Sequence, residues 1–136
     1  MTLRTVTYDD IRSWNLCYDP KRWIPEDWSG NALDILRMTD IPAADRLWAV
    51  LRPEMLDERV LRLIACGIVR ETPLSGGRTT WDLLTDPRSR RAVEVSEQYA
   101  RDAVTADELA AAKDAAKEAA KNAARAAAKN AARAAA

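Results

Sequence analysis

The sequence predicts an all-α protein: a small helical bundle extended by a long C-terminal Ala-rich helix. Three observations carry this. From Leu109 the chain reads LAAAKDAAKEAAKNAARAAAKNAARAAA, almost wholly strong helix formers without Gly or Pro. Upstream, apolar residues recur at three and four positions, as in Ala44, Leu47, Trp48 and Leu51. No stretch shows the period-two alternation between turn signals that marks a half-buried strand. The expected division is a helical domain over 1–104 and a basic Ala-rich helix over 105–136.

The elements follow in order. Thr7 with Asp10 three residues on forms a capping box with Asp in the Glu position, predicting a short helix from Tyr8 to Trp14. Pro20 and Pro25 break the chain, and Glu26 and Asp27 after Pro25 suit a first helical turn. Asn31 to Met38 places Leu33, Ile35 and Leu36 where a short helix buries them. Asp40 is the expected N-cap of the next helix, with Pro42 in its first turn and Trp48 in its core stripe. Arg52 before Pro53 ends it. A helix from about Asp57 to Arg70 carries Val60, Leu61, Ile64, Ala65 and Ile68 on one face, and is the expected centre of the core. PLSGGRTT is a loop. Asp86-Pro87 starts a helix carrying Ala92, Val95, Ser96, Tyr99 and Ala100 at helical spacing. Thr105 and Glu108 form a full capping box that starts the alanine helix, a rod of roughly 45 Å if it reaches Ala136.

Composition bounds the function. The 136 residues carry 21 basic and 21 acidic side chains. The balance conceals a split, because the segment from Leu109 is net +4 and the rest net −4. Such a split suits a tail that docks on an acidic surface or on a polyanion. Overall neutrality argues against a dedicated duplex-DNA binder. The absence of histidine removes the commonest general base and zinc ligand, so no catalytic residue, metal site or cofactor is expected. Cys17 and Cys66 form no CxxC pair, no secretory signal opens the chain, and no apolar run approaches a bilayer span. The expectation is a cytoplasmic protein with reduced thiols and no membrane contact.

RLWAVLRPEML, LRLIAC, TDPRSRRAVEVSEQYARD and TADELAAAKDAA together resemble a family of uncharacterised phage, prophage and bacterial proteins. That family shares RLWxVLR, LRLFAC-like and DPRSxxAVEVAERYA motifs running through EELAAA into an Ala-rich tail. The likeness spans Tyr8 to Ala120. The DPRSRRAVEV part is also similar to a toxin-immunity family. The resemblance implies a phage-related role and supplies no catalytic residues to carry over. This chain departs from it with Arg101-Asp102 in place of an Ala-Asp-Gly turn, and with no Trp in its tail.

Two sets of residues are candidate partner contacts. In the tail, Lys113, Lys117, Lys121, Arg125, Lys129 and Arg133 recur every four residues, drifting about 40° each time and sweeping roughly 200° in all. The plain alternative is a solvated or self-packed helix. Near the N-terminus, Tyr18, Trp23 and Trp28 are interleaved with Lys21 and Arg22, a pattern that suits a peptide pocket or base stacking. Their plain alternative is to cover the core from an irregular segment. Paired acids at Asp9-Asp10, Glu26-Asp27, Asp57-Glu58 and Asp107-Glu108 fall at expected helix starts, where they complement the dipole. Cys66 reads as a packed thiol, and Ser75-Gly76-Gly77-Arg78 lacks the ending of a phosphate loop.

These residues point to a non-enzymatic protein-binding module acting by occlusion or scaffolding. Its expected partner is a protein, such as a host or defence protein, with self-association through the tail as a second mode. The rivals are a phage-encoded inhibitor of host defence, such as an anti-CRISPR, acting through an acidic face, and nucleic-acid binding through the basic helix.

Overall fold

The computed structural model describes residues 3–136. Seven α-helices and one small two-stranded sheet make a predominantly all-α protein. The chain forms two compact units, Met1–Leu61 and Arg62–Ala136. The sequence boundary at 104/105 therefore lies within the second unit.

The first unit is built from short pieces. Strand β1 (Val6–Thr7) pairs antiparallel with β2 (Ser29–Gly30), with Val6 opposite Gly30 and Thr7 opposite Ser29. Gly30 is required there: a Cβ would meet the Trp28 ring at 2.5 Å. Helix α1 (Tyr8–Arg12) has the complete Thr7–Asp10 capping box, and the Thr7 bonds hold the Asp10 carboxyl below its ordinary pKa. A 3-10 turn follows at Pro20–Arg22, capped by Asp19. Asp19 also accepts from the buried Tyr8 hydroxyl, which raises the phenol to about 12 and lowers the carboxyl. Helix α2 (Ala32–Arg37) is boxed by Asn31 and Asp34, and α3 spans Ala43–Val50. The core gathers Val6, Tyr8, Ile11, Ile24, Ala32, Ile35, Ile41, Val50, Met55 and Leu56.

Several sequence expectations are corrected here. Pro25 starts a single turn, Trp28 N–H to Pro25 O, before the chain enters β2, so no helix forms there. Asp40 caps nothing. A turn from Met38 to Ile41 draws the Ile41 side chain into the core, and α3 starts after Pro42 without a side-chain cap. In α2, Ile35 is buried but Leu33 is 44% exposed. The α3 stripe is not core either: Leu47 is 48% exposed, Trp48 42% and Leu51 39%. The buried member of α3 is Val50, because the core lies on that side of the helix.

Helix α4 (Glu58–Glu71) crosses the unit boundary after Leu61. Its one buried residue is Cys66, and Ile68 is 47% exposed, so α4 is not the core centre that its hydrophobicity suggested. Within the second unit its Arg62–Cys66–Arg70 edge contacts Tyr99, Val93 and Glu97, on the opposite side from the Ile64–Ile68 face. The Cys66 thiol points to Val93 O at 3.7 Å, and burial pushes its pKa up.

The PLSGGRTT loop closes on itself, with Pro73 bridged to Thr79 and Gly76 and Gly77 at positive φ. It leads into α5 (Thr80–Leu83), capped by a Thr79–Asp82 box. Helix α6 (Pro87–Ala100) starts at the Asp86 cap, which Arg88 grips through both its main chain and its guanidinium. It ends in a Schellman motif: Asp102 is left-handed at φ 58, Ala103 N–H bonds Gln98 O, and Asp102 N–H bonds Tyr99 O. The turn hands over to α7 (Ala106–Ala135), whose Thr105–Glu108 box is complete. Helices α6 and α7 pack as a hairpin. Leu109 and Ala119 are buried in the seam, and Ala112, Ala115 and Ala116 are half-buried beside them. From residue 120 onward every side chain of α7 is exposed.

Candidate partner-binding site

The first unit contains a cleft of about 370 Å³. Ile11, Ile24, Ile35 and Ile41 are buried lining residues. Tyr18, Trp23 and Trp48 supply aromatic walls, and Asn15, Leu16, Cys17, Asp45 and Arg46 are among the rest of the lining. Local structure explains the placement. Asn15, left-handed at φ 57, turns the chain after α1, and the Asp19-capped 3-10 turn then carries Tyr18 and Trp23 past α3.

The polar groups of the cleft are engaged internally. Trp23 Nε1 donates to the Tyr18 hydroxyl at 3.2 Å, and that hydroxyl donates to Asp45 Oδ2 at 2.7 Å. Burial, then the Asp45 carboxylate, raises the Tyr18 pKa. Arg46 bonds the carbonyls of Ile41 and Leu36 at 3.0 and 2.7 Å. Arg22 lies 5.1 Å from the Trp23 ring and 5.7 Å from that of Tyr18. With its charges so occupied, the cleft offers mainly apolar surface, the usual character of a binding pocket.

Trp48 has a second fixture. Arg52 packs on both the Trp48 and Trp14 rings, 4.4 Å from each centroid. Its Nε lies 3.3 Å from Glu54, and its Nη1 has no hydrogen-bond partner among the described residues. The negative indole faces take the place of such partners. Trp48 is thereby held in position while remaining 42% exposed, beside the exposed Leu47 and Leu51 of the same helix.

The structure brings Tyr18 and Trp23 together at this cleft, but places Trp28 elsewhere. Trp28 is half-buried over Gly30, and its carbonyl accepts from Tyr8 N–H at 3.0 Å. Trp48 and the isoleucine lining were missed as site residues. A stripe at helical spacing gave the signal, and it was read as core. Of the tail cations, Lys117 pairs with Asp114 at 3.8 Å and Lys121 with Glu118 at 2.9 Å. Lys113, Arg125, Lys129 and Arg133 form no ion pair among the described residues. The tail cations are exposed and the three aromatics half-buried, in different units.

The second unit has a smaller groove of about 190 Å³ between α4 and α6, lined by Ala65, Cys66, Val69, Ala92, Val93 and Ser96. No group of three or more metal-ligating side chains occurs among the described residues, and no helix among them is long and apolar enough to cross a membrane. Compared with family models, curated proteins and solved structures, the chain matches none.

Proposed function

We propose that the protein is a non-enzymatic binding module whose first unit receives an apolar segment of a partner protein, and that it acts by occluding that segment. One observation carries the reading. The cleft at Tyr18, Trp23 and Trp48 opens beside an exposed Leu47–Trp48–Leu51 stripe, with Trp48 held from behind by Arg52. Preset aromatic groups beside a pocket are what hot spots are made of, because they bury large area with little loss of rotamer freedom. The internal pairing of Asp45 and Arg46 supports an apolar rather than a charged occupant.

The test is affinity capture from nuclease-treated lysate with three forms of the chain: wild type, Leu47→Glu and Leu83→Glu. Leu47 and Leu83 are comparably exposed, at 48% and 50%, so both substitutions should leave folding intact. A stoichiometric partner held by wild type and Leu83→Glu but lost by Leu47→Glu supports the reading. A partner retained equally by all three, or none at all, overturns it.

A further inference from the structure

The distal part of α7 supports a second activity, independent of the cleft. The last two octads of the chain are identical: KNAARAAA at 121–128 and again at 129–136. The octad before them, KDAAKEAA at 113–120, has acids where its successors have Asn and Ala. The switch coincides with the end of packing. The acid-bearing octad contains Ala119, the last buried residue, and the two acid-free octads are exposed throughout. Helix-dipole matching favours cations toward a C-terminus but acts only over about the last turn. It does not account for 16 residues without an acid.

Helical geometry gathers the charges. Lys121, Arg125, Lys129 and Arg133 advance about 40° each, so all four fall within roughly 120° of arc and 18 Å of axis. Asn122 lies inside that arc and Asn130 about 60° beyond it. The alanines at 123, 124, 127, 128, 131, 134 and 135 cover the opposite side. The docked first half of α7 supplies the helical nucleus, so the distal half only propagates it, and strong helix formers do that unaided. The cations are therefore presented on a preformed rod. Overall neutrality, which argues against a dedicated duplex-DNA binder, has little force here. The last acid of the chain is Glu118, and Lys129 and Arg133 stand roughly 16 and 22 Å beyond it along the axis, more than a Debye length of about 8 Å.

We propose that residues 121–136 are an arm that binds duplex DNA through its phosphates. The chemistry selects this polyanion over others. The arm has no apolar or aromatic side chain larger than Ala to insert into a bilayer or to fill a pocket in a protein interface. An alanine-clad helix is slim enough for a major groove about 12 Å wide, with Lys and Arg reaching the flanking phosphates. Binding is non-specific, because few side chains are available to read bases.

The test uses the full chain and a labelled duplex of roughly 20 base pairs, followed by anisotropy across a salt series. Three to four phosphate contacts predict a log–log slope near −3, a loss of roughly 40- to 150-fold between about 50 and 200 mM salt. Replacing Lys121, Arg125, Lys129 and Arg133 with Gln should abolish binding while far-UV dichroism is unchanged, since Gln also forms helix well. Lys113→Gln with Lys117→Gln should lose much less. Leu47→Glu should bind DNA as wild type, so failure of the cleft reading and failure of this one are separable. The proposal is overturned by no binding at low salt, by a salt-independent affinity, by equal loss in the Lys113/Lys117 variant, or by binding to phosphatidylserine vesicles but not to duplex.

Discussion

In the first unit one guanidinium, Arg52, serves two indoles; in the second one indole, Trp81, serves two guanidiniums. Arg70 lies 4.0 Å and Arg90 5.0 Å from the Trp81 ring centroid. The counter-charges differ as well. Arg70 is clamped by both oxygens of Glu97 at 2.6 and 3.0 Å, which raises its pKa, whereas Arg52 has only Glu54 at 3.3 Å and leans on aromatic faces. A carboxylate clamp closes a structural contact. An arginine satisfied by rings holds a Trp in place and leaves part of it free. The same two residue types thus produce a fastening in one unit and a presented surface in the other.

Three experiments break or sharpen this contrast. The largest effect is expected from Met55, the one side chain of the first unit with no exposure at all. Met55→Ala should cost about 2–5 kcal/mol, seen as a lower urea midpoint by Trp fluorescence. A loss near zero would mean that the short elements of that unit do not depend on their core.

The two arginine contacts come next. Glu97→Ala should cost about 1.5–3 kcal/mol, because it removes a bidentate charge-assisted bond from partly buried groups. Glu54→Ala should change stability by less than about 0.5 kcal/mol, because that pair is single and its carboxylate is 48% exposed. Equal costs would erase the distinction between fastening and presentation.

The smallest effects are those of pH. Asp10 and Asp19 in the first unit, and Asp82, Asp86 and Glu108 in the second, are all held below their ordinary pKa by hydrogen bonds. The unfolded chain takes up protons at a higher pH than the folded one, so this stability is complete above about pH 5 and drains as pH falls through the lowered values. At the alkaline end Tyr8 works in the opposite sense. Its folded value of about 12 lies above the ordinary 10, so its contribution is full below pH 10 and disappears by about 12. Thermal melts of wild type and Tyr8→Phe should differ most at pH 7 and converge across that alkaline window. Coincident curves throughout would show that the Tyr8–Asp19 bond does not stabilise the fold.

Features set by neighbours in the chain were legible from sequence. The Thr7–Asp10 and Thr105–Glu108 boxes and the Asp86-Pro87 start depend on groups three residues apart or fewer, and all three appear as read. Asn31–Asp34 and Thr79–Asp82 have the same form and were overlooked, so α5 was not expected. Burial was less legible, because periodicity shows that a helix has an apolar face but not which element covers it. Trp48 and Ile68 both lie on well-formed stripes and both remain exposed. The cleft was half visible for that reason: Tyr18 and Trp23 were marked by composition, while Trp48 was assigned to the core. In α7, alanine is the same residue whether docked or free. Only the packing against α6 shows that the helix changes role near Ala119.

The exposed octads make the length of α7 a free variable. Every side chain of α7 beyond Ala119 is exposed, so adding or deleting a KNAARAAA unit removes nothing that the core buries. Each unit lengthens the rod by about 12 Å and turns its charged side by roughly 80°. Reach and aim can thus be set by the number of octads, one step at a time, without drawing on the stability of the body.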